Sequence, residues 1–481
     1  MTTWHLHIEG QVQGVGFRPF VYLQAQQRGL SGWVNNSTDG VHVRFNASAD
    51  VAEDFRINLL REAPPLARIS RHHMRAIANE FFDNFQIIHS HTAASTNLLI
   101  SPDFALCTAC REELYAPNDR RRHYAFITCT HCGPRYSILQ QLPYDRPQTT
   151  MESFDMCPTC QQEYDDPHHR RYYSQTNSCP SCPIELALYD AQQQVMPGSQ
   201  AQLLDQVVED WRAGKIIALK GIGGYLLTCD AQNSASIQRL RRAKHRPSKA
   251  FALMFPHLEA IQKIAVTCKA EIQLLQSPAA PIVLLETKPE SNSELAIEQI
   301  APGLNRLGIV LPYTPLFDLL LRRFDGPIVA TSGNISQSPI IYRNDVALKQ
   351  LGQIADRILI NNRDIVVPQD DSVIQLSPVK KQIQFFRRSR GFAPTFFSTD
   401  TWPSGNILAT GAMLKSTFCL LHQGQPYVSQ YLGNLEHFDV QQNYQHLIQH
   451  FFALLDTTPE AILSDLHPQY PSSQYGLELA Q

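Results

Sequence analysis

Hydrophobic and polar positions alternate with a period of two through much of residues 1–91. The stretch WHLHIEG alternates, GWVNNSTDGVHVRF reads as two strands joined at Asp39-Gly40, and ISRHHMRAI alternates again. Asp-Gly between two such runs is a strong hairpin signal, because aspartate and glycine tolerate the backbone angles of a tight turn. Two stretches with helical spacing, RPFVYLQAQQRG and ADVAEDFRINLLREA, fall between the strands. The order strand, helix, strand, strand, helix, strand predicts a ferredoxin-like α/β sandwich.

Beyond it the pattern changes. Residues 105–184 are rich in Cys, Pro, His and Arg and hold few aliphatic runs. They contain a repeat. Cys107, Cys110, Cys129 and Cys132 recur fifty residues later as Cys157, Cys160, Cys179 and Cys182. Pro117 maps onto Pro167, and Arg120-Arg121 onto Arg170-Arg171. These offsets predict a duplicated small module, 107–132 and 157–182.

Residues 200–395 return to α/β patterning. The amphipathic LLDQVVEDWRAG leads into KIIALKGIGGYLLTCDA, and the apolar runs PIVLL, LGIVLPYTPLFDLLL, GPIVATSGN and DRILI follow among helical stretches. That alternation predicts an open twisted sheet. FFSTDTWPSGN reads as a linker into a last piece, 396–481, with strands in ILATGAMLKSTFCLLHQGQPYVSQYLGNL. The fold class is α/β multidomain, and 481 residues accommodate about three or four cores.

Composition narrows the chemistry. A hydrophobic fraction of 43%, a charged fraction of 18% and a net charge of −3 describe a globular chain with no global pull toward nucleic acid or an anionic membrane. Any anion binding must be local. MTTWHLHIEG has neither a basic nor an apolar leader region, and no apolar run approaches the ~18 residues of a membrane span. Eight of the eleven cysteines form four CxxC pairs, which in a chain without a visible export signal reads as metal or redox chemistry in a reducing cytosol rather than disulfides.

The loop GQVQGVGFR places Gly10, Gly14 and Gly16 just before Arg18. Glycines let successive N–H groups turn inward, and a helix start beside them favours an anion. Gly14, Val15 and Gly16 are the candidate phosphate cradle, Arg18 its cation. GWVNNS, ending a strand beside the loop, brings Asn36 as a group that can orient a water. GQVQGVGFR together with GWVNN resembles the acylphosphatase signature. The resemblance implies that Arg18 binds a phosphoryl group and Asn36 positions the attacking water, with electrostatic stabilisation in place of a side-chain nucleophile.

The spacing CxxC-x18-CxxC-x24-CxxC-x18-CxxC supplies two tetrahedral four-thiolate sets. Soft ligands at this spacing favour Zn²⁺, with iron–sulfur as a weaker option. A thioredoxin-like redox role is disfavoured, since no CxxC opens a helix after a strand. Candidate ligands are Cys107, Cys110, Cys129, Cys132, Cys157, Cys160, Cys179 and Cys182; spacing does not say which pairs share a metal, and His131 is an available substitute. Two structural zinc ions are expected. Cys229, Cys268 and Cys419 read as ordinary thiols. RRRHY and HHRRYY offer cations for nucleic acid, against which the acidic balance of the chain argues.

In the third piece LRRAKHRPSKAFALM concentrates cations, TSGNISQSP offers polar donors in a tight turn, and RRSRG follows; no GK[ST] occurs, so a P-loop is excluded. KGIGGYLLTCDA, LRRAKHRPSKAFALM, LPYTPL, TSGN and RRSRG resemble the YrdC family of ATP-dependent carbamoyl-adenylate-forming domains. The match carries nucleotide binding to Lys244, Arg246, Lys249, Ser332, Asn334 and Arg388. Ala243 and Ala250 depart from the family's Arg and Pro.

The order of an acylphosphatase-like domain (1–91), a tandem four-cysteine domain (105–184), a YrdC-like domain (200–395) and DLHPQY within 396–481 resembles the HypF family of carbamoyltransferases that mature [NiFe] hydrogenases. The resemblance implies cleavage of carbamoyl phosphate, adenylation of carbamate with ATP and Mg²⁺, and transfer of the carbamoyl group to the C-terminal cysteine of HypE, where it yields the iron cyanide ligands. It implies a cytoplasmic location without membrane contact. It also implies an actin-like-ATPase-type (TsaD-like) last domain, longer than 396–481, with a later histidine cluster for metal. Ser416, Tyr431 and Asn434 stand where that family tends to Asn, His and Asp. Threonylcarbamoyl-adenylate synthesis for tRNA modification, and a zinc-dependent RNA-binding module, are the alternatives.

Overall fold

The computed structural model describes residues 1–88, 99–288, 295–335, 337–396 and 402–481. Residues 89–91 of the expected first domain, and 397–401 of the expected linker, lie outside the described residues.

The alternating segments form the sheet they predict. Strands β1 (Thr2–Gln11), β2 (Ser31–Ser37), β3 (Gly40–Ala47) and β4 (Arg68–Ile77) are joined through helices α1 (Phe17–Gln27) and α2 (Ala49–Arg61). A short strand β5 (Phe85–Ile87) adds to β2 in parallel, giving the order β4-β1-β3-β2-β5. One face of the sheet carries Leu6, Ile8, Val41, Val43 and Phe45, all fully buried with Phe55 and Leu59 of α2. The β2–β3 register pairs Ser37 with Gly40, leaving Thr38 and Asp39 as the hairpin loop.

The cysteine-rich segment builds two copies of one small module around helices α3 (Thr108–Tyr115) and α4 (Pro158–Asp165). Cys107 and Cys157 are the N-caps of these helices, so the first CxxC of each module does open a helix. What precedes each is irregular chain rather than a strand, unlike a redox CxxC.

A ten-stranded mixed sheet follows, ordered from edge to edge Ile383–Arg387, Val373–Leu376, Ile282–Glu286, Arg306–Val310, Ala252–Met254, Ile328–Ser332, Tyr225–Asp230, Ile217–Lys220, Arg357–Asn361 and Leu186–Asp190. It reaches back to residue 186, ahead of the helix at Gln200–Arg212, whose Ser199 and Gln202 form a capping box. Pro315 and the Thr314 cap start the helix Pro315–Phe324 within the apolar run that also supplies Arg306–Val310. The last piece is a five-stranded sheet backed by helices Phe438–Leu455 and Pro471–Leu479. Among the described residues no helix is long and apolar enough to cross a membrane.

The cysteine-rich domain is the hub. Leu106, Leu114 and Phe126 share a core with Leu219, Leu226 and Phe317 of the large sheet's domain. Tyr136, Leu139 and Tyr144 pack with Leu408, Tyr427 and Phe451 of the last domain. Fully buried Asp103 fixes the centre, accepting from Arg135 N at 2.6 Å, Ser137 Oγ at 3.0 Å and Gln369 Nε2 at 2.8 Å.

Candidate active site

The structure brings Arg18 and Asn36 to one cavity of about 340 Å³. Gly16 caps the N-terminus of α1, so Arg18 sits in its first turn, where helix N–H groups face outward. Gly14 and Gly16 have φ of 70° and 77°, which point the loop amides inward. They are also pressed from outside: a Cβ on Gly14 would lie 2.9 Å from Arg135 Cδ, and one on Gly16 3.2 Å from Thr130 Oγ1. Val15 is buried in the domain core, so this cradle position contributes backbone alone. Gln13 holds the loop against the hairpin, donating to Ser37 O at 2.9 Å. Asn36 is 1% exposed, and its Oδ1 has no hydrogen-bond partner among the described residues. A buried amide oxygen without a partner at a cavity wall is a ready acceptor for a water or ligand N–H.

Part of this cavity belongs to the cysteine-rich domain. Thr130, Arg135, Tyr144, Tyr173, Ser174 and Gln175 complete its wall. Arg135 donates to Gly14 O at 2.6 Å, and Arg18 pairs with Asp145 at 2.6 Å with its guanidinium over the Tyr173 ring. None of these partners carries a local sequence signal. They lie more than a hundred residues from the loop they complete and reach it only through the domain packing.

The eight cysteines separate into Cys107/Cys110/Cys129/Cys132 and Cys157/Cys160/Cys179/Cys182, so each repeat closes its own cluster and His131 is in neither. Sulfur separations are 3.7 Å for Cys107–Cys129, 3.9 Å for Cys129–Cys132 and 3.5 Å for Cys132–Cys110. The second cluster gives 3.7, 3.7 and 3.6 Å. Tetrahedral ligands at ~2.3 Å from zinc would be about 3.8 Å apart. Both clusters therefore suit zinc. The repeated arginines clasp the opposite module: Arg120 Nη2 lies 3.1 Å from Cys160 Sγ, and Arg170 Nη2 3.0 Å from Cys110 Sγ. Arg121 reaches Glu163 and Ser178 O, Arg171 reaches Glu113 and Thr128 O.

In the large-sheet domain Lys244, Ser332 and Asn334 form one knot. Lys244 Nζ donates to Ser332 O, Asn334 O and Asn334 Oδ1, and Ser332 Oγ donates to the same Oδ1 at 2.9 Å. Burial pushes the Lys244 ammonium down to about 7 and Arg246 down to about 10. Arg246, Lys249 and Ser332 line two adjoining cavities of about 1360 and 1180 Å³. The second opens onto Tyr431, Gly433, Asn434 and His437 of the last domain. Arg388 is not on either wall. Its guanidinium turns to Phe392 O, Val428 O and Ser429 O, and the neighbouring Arg387 faces both cavities with Asp370. Ala250 lends its carbonyl to Arg246, and Ala243 ends the helix Ser234–Ala243. A third cavity, about 430 Å³, has residues 132–134, next to Arg135, on one wall and Lys220 and Arg363 on another, and shares Tyr313 with the 1360 Å³ cavity.

Comparison with known proteins agrees with this layout. Family models match in order: acylphosphatase over residues 4–87, HypF finger over 106–139 and 156–189, the Sua5/YciO/YrdC model described as telomere recombination over 209–389, and the HypF Kae1-like domain over 377–481. Proteins named carbamoyltransferase HypF from Synechocystis sp. and Rhodobacter capsulatus are 43% and 40% identical over 99% of this chain, which covers 61% and 62% of them. A crystal structure of full-length HypF in a phosphate- and nucleotide-bound form superposes with a TM-score of 0.94 at 37% identity, over 99% of this chain and 62% of that one. The chain thus spans about three fifths of the length of these relatives. Four domains in one order, and identity along all of them, are what this chain shares with HypF proteins over about three fifths of their length.

Proposed function

We propose that this chain carries the carbamoyl phosphate-cleaving and carbamate-adenylating steps of a HypF carbamoyltransferase. The observation that carries the reading is the convergence of Arg18, Gly14, Gly16 and the unpartnered Asn36 Oδ1 on one cavity. The dianionic phosphoryl group rests on the Arg18 fork and the loop amides. Asn36 holds a water in line with the phosphorus. The new bond is water oxygen to phosphorus, the broken one phosphorus to acyl oxygen, and the products are carbamate and inorganic phosphate. The cradle amides and Arg18 stabilise the charge on the transferring group, as an anion hole does.

Carbamate decomposes in water, so its consumer should lie close by. The cavity walled by residues 132–134, Lys220 and Tyr313 adjoins the large-sheet cavity at Tyr313, and its wall runs on to Arg135 of the cradle. There Lys244, Arg246, Lys249, Ser332 and Asn334 would hold the triphosphate of ATP, with Mg²⁺ accompanying it. Carbamate oxygen then attacks the α-phosphorus, pyrophosphate leaves, and carbamoyl-adenylate forms. Arg388 supports the wall from behind rather than touching nucleotide. The two cysteine clusters are structural zinc sites that hold the cradle's second wall in place. Transfer to the C-terminal cysteine of HypE, for the cyanide ligands of a [NiFe] centre, is the family's acceptor step and is assigned to the last domain. An acylphosphatase-type cradle weighs against threonylcarbamoyl-adenylate synthesis, which has no use for carbamoyl phosphate.

The test is ATP–pyrophosphate exchange with and without carbamoyl phosphate, alongside phosphate release. Exchange that requires carbamoyl phosphate is expected, and Arg18→Gln should abolish both signals. Exchange indifferent to carbamoyl phosphate would refute the coupling.

A further inference from the structure

The sheet of the first domain has a second face, away from its helices, and histidines line it. His7 on β1 stands opposite His42 on β3 and His73 on β4, while His5 stands one rung away between Arg44 and Arg75. The phosphate cradle uses none of them. Asp39, from the β2–β3 hairpin loop, folds over the row. His42 Nε2 lies 2.9 Å from Asp39 Oδ1, and His7 Nε2 3.0 Å from Asp39 O and 3.8 Å from Asp39 Oδ2.

We propose that His7, His42 and Asp39 form a site for a divalent transition-metal ion of the zinc, nickel and copper class. Their ligand atoms lie within 4.8 Å of one another, a separation one ion can bridge. Two imidazoles and a carboxylate are a donor set for zinc, nickel or copper, and three protein ligands leave a coordination position open. The side chains are 18–23% exposed, enclosed enough to be held and open enough to be reached.

The surroundings are those of a ligand rather than of a solvated histidine. His42 Nδ1 lies 2.9 Å from His5 Nε2. A ligating imidazole is oriented by the hydrogen bond of its other nitrogen, and His5 supplies that acceptor.

The consequence reaches the cradle. Asp39 lies three residues beyond Asn36 on the hairpin that Gln13 ties to the phosphate loop through Ser37 O. An ion bound by β1 and this hairpin would staple the two elements that meet at Asn36.

Calorimetric titration of the full chain, its cysteine clusters filled with zinc, with Ni²⁺ should show one further saturable equivalent and a raised thermal midpoint. His42→Ala, or His7→Gln if the first variant folds poorly, should weaken uptake by at least about tenfold and remove the thermal shift, with cysteine-bound zinc unchanged. No saturable Ni²⁺ uptake by the parent chain, or uptake unchanged in both variants, would overturn the site. Phosphate release measured in parallel separates failure of this site from failure of the carbamoyl phosphate reading.

Discussion

Arg18 of the phosphate loop and Asp145 of the cysteine-rich domain form a largely buried ion pair, Nη2 to Oδ1 at 2.6 Å. The pair joins two domains at the cavity that also holds Asn36. A guanidinium fork aimed at an anion needs one side fixed, and Asp145 fixes it from a different domain. The carboxylate also opposes an incoming dianion, so it orients the cation and tempers its pull together.

Charge and orientation are separable by substitution at Asp145. Asp145→Asn keeps an acceptor for Arg18 and removes the negative charge. Inorganic phosphate should then inhibit more strongly, on the order of tenfold, which corresponds to ~1.4 kcal/mol. Asp145→Ala also releases the fork, and phosphate release should fall with little gain in affinity. Equal inhibition constants for the parent and Asp145→Asn would show that the carboxylate does not oppose the anion.

Asn36 should divide stability from activity. Its Oδ1 is buried without a hydrogen-bond partner among the described residues, so the folded chain gains little from it. Asn36→Ala is expected to leave the thermal midpoint unchanged or slightly raised while phosphate release falls by ~10²–10³, the range for loss of one positioned polar group in such a site. A large loss of stability would mean that Asn36 is structural.

Much of this was legible from local pattern. Period-two alternation marked β1 to β4, Asp39-Gly40 the hairpin, and the fifty-residue offset the two modules, because each depends on neighbours in sequence. Arg135 and Asp145 were not legible, since their role exists only once the cysteine-rich domain packs on the loop. The first two of the three arginines of RRSRG show the same limit. Arg387 closes the strand Ile383–Arg387 and faces the cavities, while Arg388, one residue on, turns to Ser429 O. A strand that ends between two identical residues sends them to opposite sides, and composition cannot say which is which.

The clasped modules should lose metal together. Arg120 and Arg121 bind Glu163 and Cys160, and Arg170 and Arg171 bind Glu113 and Cys110, so each cluster is braced by the other module. Structural zinc supplies on the order of 10 kcal/mol of folding free energy to small domains. Cys110→Ala should therefore reduce zinc by more than one equivalent per chain and weaken phosphate release, because Thr130 and Arg135 wall the cradle. Loss of a single equivalent with normal activity would show that the modules are independent.

Lys244 gives the proposed nucleotide cavity a pH dependence of definite sign. Burial, and after it the positive charges of Arg246 and Lys249, push its ammonium from 10.5 down to about 7, while Asp370 pulls the other way. Between these values the unfolded chain holds more protons than the folded one, so stability rises with pH across that window and the burial penalty is fullest below it. Polyphosphate has the opposite effect on the lysine, favouring its charged form. ATP binding at pH 8 should therefore take up close to one proton, and affinity should weaken by up to about tenfold per pH unit above neutrality. Calorimetry in buffers of different ionisation enthalpy measures the uptake, which should vanish in Lys244→Met. Binding without proton uptake in the parent chain would mean that Lys244 stays charged among its three carbonyl acceptors and does not set the pH response.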